Sequence, residues 1–485
     1  MKTTHVTGKK SNYRWTIVAM LFMATTVNYL DRQVLSLTWK DFIAPEFHWT
    51  DNDYGTITAL FSLFYAISLL FAGRLVDWLD TKKGFMWAIG VWSLGAVLHA
   101  FCGIASSGIL TGNWLVGFES ASHHISTVED ISKVINVSVT LFIFARLVLA
   151  VGEAGNFPAA IKATAEFFPK KDRAYATSIF NAGATVGALA APLVIPVLAK
   201  YFGWESAFIV IGALGFIWMG WWQFGYHKPE VHPKVNKEEL VYITQDNEDA
   251  KLEENDGATK NKVSFKQLAK YKQTWAFAFG KFMTDGVWWF YLFWTPAYLS
   301  SVYGMESSDP EAQFALFILY GITLLSIIGG WLPTYFVDKK GMNPYAGRMK
   351  SMLIFAFFPL LAVVAQPLGH VTYWFPVIII GIAGAAHQAW SANIFTTVGD
   401  MFPKSAIATV TGIGGLAGGL GSTLINKGSG MLFDFSANND LNFLGFKGIE
   451  AGYFIIFTIC AFAYLIGWIV MKTLVPRYEP ITDLE

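Results

Sequence analysis

Residues 141–158 read LFIFARLVLAVGEAGNFP, an apolar stretch long enough to cross a bilayer that nevertheless carries Arg146 and Glu153. An ionisable side chain at mid-membrane costs roughly 2.5–3.5 kcal/mol on insertion scales, so each needs a partner or a watery cavity. The two stand seven residues apart, which at about 3.6 residues per turn puts them on one helix face, two turns and roughly 10 Å apart along the axis. That face therefore looks onto something wet. The small residues Ala150, Gly152, Ala154 and Gly155 allow a neighbouring helix to approach closely, as membrane bundles require. Two readings follow: an Arg/Glu pair lining a transport pathway, or a structural ion pair between helices.

The rest of the chain has the same character. Of 485 residues, 54% are apolar and only 14% charged, and the mean hydropathy is +0.42. Soluble domains carry roughly 25% charged residues, so this is an all-α polytopic membrane protein. Formal net charge is zero, and nothing global points to a nucleic acid or polyanionic partner. Cys102 and Cys460 each lie inside apolar segments, where a thiol behaves as a small hydrophobe, and neither a zinc site nor a disulfide framework is expected. The first apolar run ends in the charged NYLDR without a small-residue cleavage site, which reads as an uncleaved first span.

Stretches of about 20 apolar residues give about twelve spans. Six lie near 15–35, 54–76, 85–104, 137–158, 177–199 and 207–224, and six more near 274–303, 314–337, 349–366, 373–395, 409–432 and 453–474. Lys and Arg gather before span one (Lys2, Lys9, Lys10, Arg14) and after spans two (Lys82, Lys83), four (Lys170, Lys171, Arg173), eight (Lys339, Lys340, Arg348, Lys350) and twelve (Lys472, Arg477). Short cytoplasmic loops hold the positive excess, so both termini are expected in the cytoplasm.

The polar stretch 226–272 divides the spans six and six. It is read as a cytoplasmic linker with a short surface helix around 237–245, between an N-terminal bundle (1–225) and a C-terminal bundle (273–485). Residues 105–136 are expected to form an exposed outer loop. The adjacent His123 and His124 within it point to opposite sides of most backbones, so no metal site is expected there. The halves repeat: EFFPK at 166–170 is echoed by DMFPK at 400–404, each before a Gly/Ala-rich span, and 73–84 is echoed by 330–341. Secondary transporters are built from such repeats, with the substrate site at the repeat interface near mid-membrane.

GRLVDWLDTKKG at 73–84 resembles the signature loop of the major facilitator superfamily. The resemblance implies twelve transmembrane helices in two pseudo-symmetric six-helix bundles, with Gly73, Asp77, Lys82 and Lys83 as gating residues. Asp77 would cap or pair a neighbouring helix end, and the two lysines would sit at the cytoplasmic surface. In the second half the loop is degraded, with Thr334 where the motif would place its acid and Pro333 just before it. NYLDR at 28–32, ARLVLAVGEAGNFPAAIKATAEFFPKK at 145–171 and AAHQAWSANIFTTVGDMFPK at 385–404 resemble the anion:cation symporter branch. TDGVWWFYLFWTPAYL at 284–299 is similar to bacterial hexuronate transporters. Ala184 stands where relatives often carry a longer polar side chain. The resemblance implies a monomeric inner-membrane carrier without a cofactor, importing a sugar-acid anion such as glucuronate or galacturonate with protons. Another organic anion such as an aldonate, or a sugar-acid sensor without transport, are the alternatives.

A hexuronate is a hydroxyl-rich ring with one carboxylate, so its site needs a cation, amide or hydroxyl partners and an aromatic face. Arg32, with Tyr29 beside it, is the candidate carboxylate clamp; otherwise it is a snorkelling interfacial arginine. In span ten, His387, Trp390, Ser391 and Ile394 follow i, i+3, i+4, i+7 spacing, flanked by Gln388 and Asn393. The polar members of this face are candidates for sugar hydroxyls, with Trp390 as a stacking platform, or else they bridge helices. Span seven adds Asp285, Trp288, Trp289 and Tyr291, for sugar contact or packing. Asp31 and Glu153 are the candidate proton carriers, with Glu153 alternating between Arg146 and a proton. No G-x-x-x-x-G-K-[ST], H-E-x-x-H or G-x-S-x-G occurs, so an ATP-driven pump, a zinc protease and a serine hydrolase are unsupported.

Overall fold

The computed structural model describes residues 11–245 and 264–482. Lys2, Lys9, Lys10 and linker residues 246–263 lie outside them. Span one is Tyr13–Thr38, continued by a π-turn at Trp39–Ile43 and a short helix at Ala44–Phe47. Spans two and three form one helical run, Asp51–Ala100, broken at Asp80, where φ is 67° and ψ 157°. Span four is Ile131–Phe167, span five Lys170–Phe202 and span six Trp204–Gly225. The second half holds Lys272–Tyr303, Pro310–Lys340, Pro344–Gly369, Trp374–Met401, Lys404–Asn438 and Ile449–Leu474, which are spans seven to twelve.

Among the described residues, eight helices are long and apolar enough to cross a membrane, the kinked one supplying two spans. Spans one, seven and eleven fall outside that set, and they carry Arg32, Lys281, Asp285, Gly415 and Gly419, which line a cavity between the helices. Their hydropathy is diluted because they line something other than lipid.

Two expectations change. Span four begins at Ile131 rather than near 137, and it is not one helix: Ile131–Glu153 ends at Ala154–Gly155 and Asn156–Phe167 resumes. The outer stretch 105–136 is largely helical, containing Phe118–Ser126 and most of Cys102–Thr111. Ala121 and Ile125 turn that second short helix inward, so its apolar spacing outweighed its overall polarity. His123 is exposed, and the His124 ring lies 3.5 Å from the Asn113 amide.

Local chemistry explains several boundaries. Thr50 and Asp53 form a reciprocal capping box at the start of span two, satisfying amide N–H groups that no helix turn can reach. At the start of span one that task falls to the linker. Glu239, on the helix Lys237–Ile243, has a fully buried side chain that accepts from the backbone N–H of Tyr13 at 3.0 Å and of Arg14 at 3.1 Å, and pairs with the Arg14 guanidinium at 3.0 Å. Close packing depends on missing side chains. A Cβ at Gly152 would collide with the Trp92 backbone, so spans three and four touch main chain to main chain there.

The buried apolar residues form one large cluster that runs through both sets of six spans, and span eleven packs against the run of spans two and three. Hydrogen bonds between the two sets gather at the end opposite the described termini. Asp434 of span eleven accepts from the N–H groups of Asp51 at 2.9 Å and Asn52 at 3.1 Å, which open span two. Asp41 accepts from Ser300 at 2.6 Å and from the Ser307 N–H at 2.7 Å. Lys427 donates to Asn52 at 2.5 Å and Thr56 at 2.7 Å. This far end is closed.

Candidate functional site

The polar side chains of spans one and four meet inside the N-terminal set. Arg32 donates through Nε at 3.0 Å and NH2 at 2.6 Å to one oxygen, Oε2, of Glu153. Both side chains are buried, at 4% and 0% exposure. Glu153 is the last residue before the break in span four, and the break brings Asn156 and the following turn against span one. The expected Arg146–Glu153 partnership is therefore corrected. Sharing a helix face keeps those two side chains two turns apart, while span one crosses at the level of Glu153 and delivers Arg32 to it. Arg146 instead lies over the Phe61 ring at 5.1 Å. Its Nε and NH1, both carboxylate oxygens of Asp31, Oε1 of Glu153 and the amides of Asn28 and Asn156 are buried without a protein hydrogen-bond partner. Buried polar groups ordinarily have partners, and these unmatched atoms belong to residues of spans one and four alone.

Arg32 faces outward from this cluster toward the other half. Its guanidinium carbon is 5.3 Å from the Tyr29 ring centre and 4.8 Å from those of Tyr65 and Trp289. It lines the smaller of two adjoining cavity lobes, of about 220 and 400 Å³, which share Tyr29, Trp288, Gln388, Ser391 and Phe395. The larger lobe adds Asn181, Ala184, Thr185 and Ser326. The smaller adds Lys281, Asp285, Trp289 and His387. The His387 ring stacks on Trp288, with centres 5.3 Å apart and planes within 4°, and its Nδ1 is 2.7 Å from the Tyr464 hydroxyl.

Span ten presents a face rotated from the expected one. Gln388, Ser391, Ala392 and Phe395 line the lobes, and this set too follows i, i+3, i+4, i+7. Trp390 is fully buried with its ring edge-on to Tyr464 at 5.6 Å. Asn393 donates to the carbonyls of Gly329 and Ala389, both at 2.8 Å, and ties span ten to span eight. Tyr291 is buried among the aromatic rings of its own half. These three lie outside the cavity wall, because the bulky Trp390 and Ile394 fill the C-terminal core and turn the helix by about one residue. Lys281, which the reading of span seven missed, stands one turn before Asp285 and bonds it at 2.7 Å; the i, i+4 spacing was its available signal. Asn181, Thr185 and Ser326 gave none, being ordinary small polar residues in apolar spans.

At the end nearest the described termini, Asp77 pairs with Lys162 of span four at 3.0 Å. Asp80 pairs with Lys228 at 3.3 Å, and Glu166 accepts from Thr81 at 2.6 Å and from Tyr226. The Lys82 carbonyl accepts from Trp222 at 3.3 Å, Lys83 is exposed, and nothing stands within 4 Å of a Cβ at Gly73. In the second half Thr334 bonds back to Gly330 of its own helix, at 3.2 Å, while Arg348 and Asp400 pair at 2.6 Å.

Two helix sets around a central polar cavity are what a family match across most of the chain now identifies: residues 21–425 match the Major Facilitator Superfamily. The chain belongs to this superfamily of transporters. The carrier is 28% identical over 427 residues to the hexuronate transporter of Escherichia coli K12, covering 88% of this chain and 89% of that one. It is 25% identical to the galacturonate transporter of Dickeya chrysanthemi, covering 70% and 87%. It is also 25% identical to the probable galactarate/D-glucarate transporter GarP of Escherichia coli K12, covering 90% and 93%. Its fold is shared with a bacterial homologue of the human lysosomal transporter Spinster in an inward-facing, unoccupied state, with a TM-score of 0.70 at 18% identity, covering 98% and 100% of the chains.

Proposed function

We propose that this carrier imports a sugar-acid anion of the hexuronate type together with protons across the inner membrane. In this reading it works as a monomer with both termini in the cytoplasm, the first six spans (1–225) and the last six (273–485) rocking about the central site and 226–272 linking them. The observation that carries the proposal is the placement of Arg32, a buried cation in the cavity wall held by one carboxylate oxygen and three aromatic rings. A guanidinium so held presents its free edge to a second planar anion. Gln388, Ser391, Asn181 and Thr185 supply amides and hydroxyls to a sugar, and Trp288 and Trp289 supply faces. The similarity to hexuronate and galacturonate transporters points to the same substrate class.

Coupling follows from the partner of Arg32. When a substrate carboxylate takes the guanidinium, Glu153 loses its counter-charge in a desolvated place and gains a proton instead; Asp31, alongside, is the second candidate. Importing one anion against 100 mV, inside negative, costs about 2.3 kcal/mol, which one proton cancels and two reverse. The far end would then be the outer gate, shut in this state, with the cavity facing the cytoplasm. Uptake of labelled galacturonate into vesicles under an imposed pH gradient tests the reading. Glucuronate should compete and glucose should not, because a desolvated arginine left without its anion is costly. Failure of any sugar acid to accumulate would leave a sensor with this fold as the better reading.

A further inference from the structure

Lys281 takes no part in the proposed transport step, yet among the described residues it is a deeply buried lysine, its side chain 6% exposed. Its ammonium is 2.7 Å from Asp285 and 4.2 Å from the centre of the Phe395 ring, and both Lys281 and Asp285 line the smaller lobe. Packing in span eleven makes room for the acid: a Cβ at Gly418 would overlap the Asp285 carboxylate. A pair one turn apart on a 32-residue helix is not needed to hold that helix. Well-packed apolar residues at a buried pair of this kind are commonly as stable or more so. What the pair does provide is a neutralised cation in a cavity wall. Arg32 with Glu153 provides another in the same lobe, from the opposite half.

We infer that Lys281, held by Asp285, is a second carboxylate-binding cation, and that the lobe accepts dianionic sugar acids with a carboxylate at each end, Arg32 taking one end and Lys281 the other. An ammonium has three donors, of which Asp285 uses one, so Lys281 receives a carboxylate oxygen without first giving up its partner. A ligand with one carboxylate engages one half strongly; a ligand with two joins the halves. Selectivity between monoacid and diacid is thus a property of span seven. The inference rests on the sugar-acid reading of the cavity.

The test is competition against labelled galacturonate in vesicles, with unlabelled galactarate, for the wild type, Lys281→Gln/Asp285→Asn and Lys281→Arg. The double variant removes both charges together, so no buried acid is left unpaired. Galactarate should compete in the wild type. In the double variant the galactarate inhibition constant should rise at least tenfold more than that of galacturonate, whatever happens to galacturonate itself. Lys281→Arg, which keeps the cation, should keep the wild-type ratio within about threefold. Equal changes for the two ligands in the double variant, or no competition by galactarate in the wild type while galacturonate competes, overturns the second cation site. If neither ligand binds the wild type, the sugar-acid reading fails and this inference with it.

Discussion

Arg32 bonds Glu153 through two nitrogens that converge on one oxygen, so its geometry as well as its charge matters. Arg32→Lys keeps the charge but loses the planar fork and most of the contact with the Tyr65 and Trp289 faces. Galacturonate uptake should fall at least tenfold, and near wild-type rate and affinity would show that Arg32 is not the clamp. Glu153→Gln keeps the shape of the side chain but cannot exchange a proton. It should still exchange labelled for unlabelled substrate across vesicles, since exchange never requires the empty carrier to reset. Accumulation driven by a pH gradient should drop to the equilibrium level. Surviving accumulation would move coupling to Asp31; loss of both activities would make Glu153 a structural partner of Arg32 and not a proton carrier.

At the scale of an element, the short helix Ala44–Phe47 shows how a connection between spans is anchored. Its Glu46 accepts from the indole of Trp204, at the start of span six, at 2.8 Å. Burial, assisted by the nearby charge of Glu205, outweighs that hydrogen bond and pushes the Glu46 carboxyl up to about 7 from 4.5. Between those two values the folded protein holds a proton that the unfolded chain has lost, so stability falls as pH rises through the window. The contribution is present below pH 4.5 and gone above about 7, amounting to about 3 kcal/mol at most. Melting temperature in detergent should therefore decline from pH 5 to pH 7.5 more steeply in the wild type than in Glu46→Gln. Equal slopes would show that this carboxyl is ionised throughout.

For the whole molecule, the balance between states rests on which end is tied. Two acids contribute to the far-end ties: Asp41 accepts one backbone N–H and one hydroxyl from the opposite half, and Asp434 accepts two backbone N–H groups at the N-terminus of span two, where a helix favours negative charge. Asp41→Asn/Asp434→Asn weakens these charge-assisted bonds, each worth roughly 1.5–3 kcal/mol. The population should shift toward opening at the far end. An added cysteine at Thr56, against Lys427 in the closed state, should then react several-fold faster with a membrane-impermeant maleimide. Cys102 and Cys460 are both buried and add little background. An unchanged labelling rate would mean that apolar contacts alone keep this end shut.

The sequence by itself determined the class, the number of spans and the repeat, because hydropathy over membrane length and short repeated motifs are local properties of the chain. It also singled out Arg32, Asp31 and Glu153, since an ionisable group in an apolar span stands out wherever it finally points. The partner of each charge was decided only by tertiary structure. Arg146 and Glu153 share a helix face, but an ion pair needs a few ångströms, and only the crossing of span one at the break in span four supplies that distance for Glu153. The cavity face of span ten was likewise open to two registers of the same 3.6-residue period, and the bulk of Trp390 and Ile394 against the C-terminal core selected one. Lys281 could be paired with Asp285 from their i, i+4 spacing, but only the fold turns the pair into the wall of the cavity.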